Sequence, residues 1–344
     1  MRMPQMPKLA SPSAGLRFVV LAFLALSAVA CASDTLDPST GVAIAADTPE
    51  GLASDSLATS SVAVQGPGLD SPDFLTSTTS STPFGFWRLE YSQLGSTYSS
   101  LHRGASPTTI RSQLEQARRK GARVFVQFAG RRTHYQNRDG SFSLDKFKQR
   151  LAAFKGLNLD SYIADGTLAG HQMIDEPSDK SNWGGRPMSY SQVEAAAKAS
   201  KAIWPRLPTL VRSVPTWLKG ASFHWTYLDA AWAQYSARKG DVYRYRDVEV
   251  SAAKGEGLGL VWGLNVIDGG DGSSGRRGTS SGKYNMSASE LKKYGKALLY
   301  APRTCGFLMW MYDGTYLGRS GVMDAMRSLS STAKSRPAQR CNIS

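Results

Sequence analysis

The chain has 344 residues, 41 Lys and Arg against 27 Asp and Glu, and three cysteines. The positive balance is not gathered into any short Lys/Arg-rich run and comes without a nucleic-acid-binding motif, which excludes a nucleic-acid partner. Three thiols cannot all pair within one chain, so one needs its own explanation. Residues 1–30 read as a secretory signal. Arg2, Lys8 and Arg17 form a basic start, residues 18–30 are apolar but too few to span a bilayer comfortably, and Ala28-Val29-Ala30 is a small-residue cleavage site.

Cys31 follows at once. The arrangement resembles a bacterial lipoprotein signal, whose cysteine becomes the lipidated N-terminus. That implies export, a lipid anchor at Cys31 and a place at the bacterial cell envelope. Ordinary signal cleavage would instead leave Cys31 free and the protein periplasmic or secreted. Lipidation leaves an even pair of thiols, and Cys305 and Cys341 are expected to form a disulfide in an oxidising compartment. Closing that loop would contribute roughly 3–4 kcal/mol on a chain-entropy basis. The alternative is three unrelated buried thiols.

Residues 31–82 hold seven acids and no Lys or Arg, in a background of Ser, Thr, Ala and Gly. Such a segment buries too little apolar surface to order itself and is expected to act as a tether. As a random coil it would reach roughly 40 Å. The folded domain is expected over residues 83–344. Its charge is more positive than that of the whole chain, because the linker holds only acids. That favours an acidic glycan or an anionic envelope polymer, or simply gives a well-solvated surface.

Along this domain apolar runs alternate with helical patterns. Phe84-Gly85-Phe86-Trp87 reads as a strand. Residues 108–120 read as a helix, with Ile110, Leu114 and Ala117 on one stripe. Residues 123–128 are a β-rich run and 144–157 a helix entered through Ser143. His171-Gln172-Met173-Ile174-Asp175-Glu176-Pro177 is a short buried strand ending in two carboxylates, with a proline that stops the ladder. A helix over 190–204 follows, then strand 209–214. A further strand is expected between 226 and 235, then helix 241–254 and strand 259–266. Helix 287–300 carries a Ser287/Glu290 capping box. Strand 306–311 and helix 321–331 end the pattern.

Strands separated by helices call for a parallel sheet. The size matches one TIM-like (β/α)8 barrel with seven strands readable. The eighth is expected between residues 130 and 168 or before Trp87. A doubly wound open sheet is the alternative, weakened because no Gly-rich phosphate loop follows a strand. In the barrel, Cys305 and Cys341 would meet at the face away from the strands' carboxyl ends.

The carboxyl ends of the strands are where chemistry sits in such folds. Asp175-Glu176-Pro177 resembles the Asn-Glu-Pro or Asp-Glu-Pro end of the acid strand in (β/α)8-barrel glycoside hydrolases of the clan-A type. The resemblance implies that Glu176 is the proton donor to the leaving sugar oxygen. It also implies that the fourth strand onward, carrying Trp310, places an aromatic beneath the sugar. Retaining members carry a nucleophilic Glu three strands after the acid. Here that strand ends in Asn265, with Asp268 beyond it.

Asp268 or Asp313 could serve as nucleophile or base instead. Alternatively Asp175 orients a substrate acetamido group that attacks internally, as in some substrate-assisted hexosaminidases. A third reading is a catalytically silent barrel that binds glycan at the cell envelope. Candidate substrate contacts at strand ends are Trp87, Gln127, Arg212, Gln234, Trp262, Asn265, Trp310 and Tyr312. Arg212 would pair with Glu176 or bind an acidic sugar. The four histidines show no metal-ligand spacing, so no metal or other cofactor is expected. No Gly-x-Ser-x-Gly elbow is present. The expected partner is a neutral or acidic carbohydrate, bound by a monomer.

Overall fold

The computed structural model describes residues 81–342. The signal segment, Cys31 and the linker up to residue 80 lie outside the described residues. Eight parallel strands pair in sequence order and close, the last on the first, into a barrel. They are β1 (Phe84–Trp87), β2 (Ser100–Gly104), β3 (Arg123–Gln127), β4 (Leu168–Asp175), β5 (Thr209–Arg212), β6 (Ala230–Tyr235), β7 (Gly259–Leu264) and β8 (Thr304–Met309). The helices are α1 (Ile110–Arg119), α2 (Leu144–Ala152), α3 (Asp160–Ala164), α4 (Tyr190–Lys201), α5 (Pro215–Leu218), α6 (Val242–Gly255), α7 (Ala288–Leu299), α8 (Gly314–Leu317) and α9 (Val322–Lys334). None among the described residues is long and apolar enough to cross a membrane.

The eighth strand is β2, which lies after Trp87 and before residue 108, outside both stretches where it was expected. Its sequence, Ser-Leu-His-Arg-Gly, has one aliphatic residue and no β-branched one, so it carries no strand propensity of its own. It is held by pairing with β1 and β3 on either side.

Alternation along each strand sorts the side chains. Phe125, Leu210, Ala230, Trp232, Val261 and Leu308 fill the barrel interior. Their neighbours Val124, Val211, Ala231, Leu260, Trp262 and Phe307 pack outward against the helices. The Ser287 box is present: Ser287 Oγ accepts from the Glu290 amide and Glu290 Oε2 accepts from the Ser287 amide. Cys305 and Cys341 are bonded to each other. Asn342 pairs with Leu258, just before β7 begins. The disulfide therefore ties the C-terminus to the amino ends of the strands, far from Asp175.

Candidate active site

Both carboxylates at the end of β4 reach the mouth of the barrel, which strict alternation forbids. Two local features allow it. The pairing of β4 with β5 shifts register between Gln172 and Ile174. Glu176 then adopts φ +47°, a left-handed conformation that costs a residue with a Cβ of order 1–3 kcal/mol. The surroundings hold it there. The Glu176 amide donates to the Arg212 carbonyl at 3.0 Å. Trp183 Nε1 donates to the Glu176 carbonyl at 2.9 Å.

The two acids have unequal roles. Asp175 receives Arg212 through both oxygens, Nε on one and Nη2 on the other at 3.0 Å. Burial pushes the Asp175 carboxyl up, but the adjacent Arg212 guanidinium outweighs it and holds the group below the usual carboxylate range. An acid clamped in this way is not free to orient a substrate acetamido group, so that expectation is corrected. Its place is to fix Arg212. Arg212 also donates to Gln234 Oε1 at 3.0 Å and stands 3.3 Å from Glu176 Oε1. Asn182 Nδ2 donates to the other Glu176 oxygen at 3.1 Å. Nearly half of the Glu176 side chain stays exposed (42%), against 9% for Arg212.

Glu176 faces a cavity of about 210 Å³ at the carboxyl ends of β4 to β7. Of the expected residues, the cavity unites Glu176, Arg212, Gln234 and Asn265. Ser178, Trp232, Ser236 and Lys239 complete the part of its wall that matters here. Trp232 was legible in principle, since it lies two residues before Gln234 and so shares its face. Lys239 sits in the turn after β6 and gave no pattern to read. Glycine makes room for Trp232: a Cβ on Gly263 would lie 2.7 Å from Trp232 Nε1 and 2.3 Å from the Leu308 carbonyl.

The other candidates fall elsewhere. Trp262 is fully buried and turned outward, its Nε1 donating to Thr304 Oγ1 at 3.1 Å; it is a core residue, not a sugar contact. Asp268 accepts four hydrogen bonds from Thr279 and Ser280 at 2.7–3.1 Å. Burial pushes Asp268 up, yet these bonds prevail and hold its carboxyl below the usual range. It anchors the Gly/Ser-rich loop 269–282. Asp313 caps α8, accepting from the Tyr316 amide at 2.7 Å. Neither acid lines the cavity, so neither stands ready as nucleophile or base there.

Trp87 and Trp310 stack on each other at 4.2 Å. Arg88 lies over the first ring at 4.4 Å and Arg212 over the second at 5.1 Å. One face of each ring is taken by the other tryptophan, and both rings stay partly exposed. The Trp310–Met311 peptide bond is cis. Tyr312 bonds Gln93 and sits edge-on to Phe86. Gln127 is half-buried at the end of β3, outside the cavity lining. Burial pushes His102 inside the barrel and His171 outside it down to about 3, so both rings are neutral. No group of three or more His, Cys, Asp or Glu that could hold a metal occurs among the described residues.

No family model matches the chain, and no curated protein matches it in sequence. The solved structures that it is similar to include glycoside hydrolases. One is a candidate glycoside hydrolase from Parabacteroides distasonis, 11% identical, covering 76% of this chain and 95% of that one with a TM-score of 0.49. Another is xylanase 10B from Thermotoga petrophila in complex with xylobiose, 10% identical, covering 74% and 94% with a TM-score of 0.46. A third is Gas2 from Saccharomyces cerevisiae in complex with laminari-oligosaccharides, 11% identical, covering 73% and 60% with a TM-score of 0.44. At such scores and identities they say nothing about the chemistry of this chain.

Proposed function

We propose that the chain is an exported glycoside hydrolase, anchored through Cys31, in which Glu176 protonates the glycosidic oxygen. The observation that carries this reading is that Glu176 is the one carboxylate among the residues lining the cavity at the carboxyl ends of the strands. It is held there in a left-handed conformation by neighbours on β5 and by Trp183. Backbone strain kept at such a position is characteristic of working sites.

A two-carboxylate retaining mechanism needs a second acid roughly 5–5.5 Å away. Asp175, Asp268 and Asp313 are each engaged elsewhere. The nucleophile is therefore proposed to be the substrate's own acetamido oxygen, which attacks C1 as Glu176 delivers its proton to the departing oxygen. Water then opens the cyclic intermediate and returns a proton to Glu176. The Ser178 and Ser236 hydroxyls remain able to accept from the acetamide N–H.

A second reading, a barrel that binds glycan without cutting it, is favoured by the ion pair between Arg212 and Glu176 and by Asn265 at the end of the β7 strand. Glu176→Gln separates the two. In the hydrolase it lowers turnover of an unactivated N-acetylated glycan by roughly 10²–10⁴-fold, the usual weight of general acid catalysis. A substrate with a good leaving group loses less. A wild-type protein that binds oligosaccharides and cleaves none of them would rule out the enzyme and leave the binding barrel.

A further inference from the structure

Gln234, Lys239 and Asn265 stand on the β6–β7 side of the cavity. Gln234 Oε1 accepts from Arg212, which forces its amide nitrogen to the other side. That nitrogen is buried and has no protein partner. Asn265 Oδ1 accepts from the Asp268 amide at 2.9 Å, which turns the Asn265 NH2 group the other way. In both cases the orientation is fixed by a neighbour that can only donate.

Beside them stands Lys239. Its amine bonds Tyr245 Oη at 3.3 Å and lies 4.8 Å over the Tyr245 ring. Among the described residues it forms no ion pair. The nearby Glu249 is held by the Thr216 amide and hydroxyl at 2.9 and 3.0 Å. Burial holds the Lys239 amine below the ordinary lysine range, outweighing the opposite pull of Glu249 and Glu176. Glu249 and Glu176 act on it only from beyond ion-pair distance. Arg212 differs, being matched by Asp175 and Glu176.

We infer that the β6–β7 side of this cavity binds an anionic substituent of the glycan, a uronate carboxylate or a sulfate ester, through Lys239 and Asn265 Nδ2. A lone acetamido carbonyl takes one or two donors and needs no cation. An ammonium without an ion pair and a side-chain amide on the same cavity wall suit a group with several acceptor oxygens and a full charge. This assignment rests on the cavity being a glycan site and names the class of glycan.

The test uses the full-length protein carrying Glu176→Gln, so that ligands are not consumed. Titration calorimetry is run with an oligogalacturonate, a sulfated oligosaccharide, chito-oligosaccharide and cello-oligosaccharide. At least one anionic ligand should bind tenfold or more tightly than both neutral ones, and the two anionic ligands identify which group is taken. Adding Lys239→Gln should remove that preference and leave neutral binding within twofold. Asn265→Asp, which keeps the bond to the Asp268 amide, should repel the anion and provides an independent variant should Lys239→Gln fail to fold. Equal binding of anionic and neutral ligands, or no effect of either variant, overturns the anionic subsite while leaving the glycan site intact. Failure of all four ligands to bind, together with no hydrolysis by the wild type, overturns both.

Discussion

Replacing Arg212 with methionine tests how the site is held together. Arg212 is buried and donates to Asp175 and Gln234 while pairing with Glu176. Methionine keeps the volume and removes the charge, leaving Asp175 half-buried without its partner. Breaking a buried pair from one side costs about 3–5 kcal/mol. For a domain of this size that is a fall in Tm of roughly 6–20 °C. The pH dependence gives a second signature. In the wild type the folded pKa of Asp175 is depressed, so its contribution is present above the unfolded value and fades as pH falls through the folded one. Without Arg212, burial is the larger remaining influence and the pKa rises above the unfolded value. The variant then loses stability as pH climbs through that interval. The stability gap should widen from about pH 4 to pH 7. Urea unfolding followed by circular dichroism reads it, and Asp175→Asn added to Arg212→Met should recover a substantial part of the loss. A variant within about 0.5 kcal/mol of wild type at pH 7, or a gap that narrows as pH rises, would refute this account of Asp175.

Three further outcomes follow from the same structure. The Cys305–Cys341 bond closes a loop of 36 residues in sequence separation, so replacing both cysteines with serine should cost roughly 3–4 kcal/mol in unfolding experiments; non-reducing peptide mapping that finds both thiols free argues against the bond. Gly263→Ala drives a methyl group into the Leu308 carbonyl and Trp232 Nε1. It should cost about 1–3 kcal/mol and alter the near-UV dichroism of Trp232, whereas an unchanged spectrum and stability would contradict the packing described. Cys31→Ser should abolish lipid labelling and release the protein from detergent-extracted membranes; identical partitioning of variant and wild type removes the anchor from the proposal.

What could be read from the sequence depended on whether period and position agreed. Strands β3, β4, β7 and β8 are apolar runs bounded by glycine or proline, and their ends carried Glu176, Asn265 and Trp310 to the same face. β2 has neither an apolar run nor β-branched residues, and its place is set by pairing on both sides. Trp262 was misread by position alone. Counting back by two from Asn265 gives Gly263 and Val261 inward, which turns Trp262 outward. Asp313 precedes Gly-Thr-Tyr at the start of a short helix, an N-cap pattern visible in the sequence. The four bonds on Asp268 come from residues 11 and 12 positions later, which no local pattern announces. Lys239 lay past the end of a strand that was itself weakly signalled.

The wall reached by crossing β5 and β6 from Glu176 decides what this cavity can do. β7 is followed at once by Asn265, where the resembling retaining enzymes carry a nucleophilic Glu. A carboxylate there would supply both a nucleophile and an acceptor. The amide is no nucleophile of that kind, and its oxygen is turned to the Asp268 amide. What it would offer a ligand is a donor, on the same cavity wall as Lys239. On the proposed reading, the same residue leaves no protein nucleophile at this position and adds to an electropositive wall. In the proposed hydrolase, chemistry at C1 would then come from the substrate, and the substrate would be one that such a wall attracts. An acetamido sugar joined to an acidic one meets both demands. A neutral glycan without an acetamido group meets neither, and the wild type should leave it uncut.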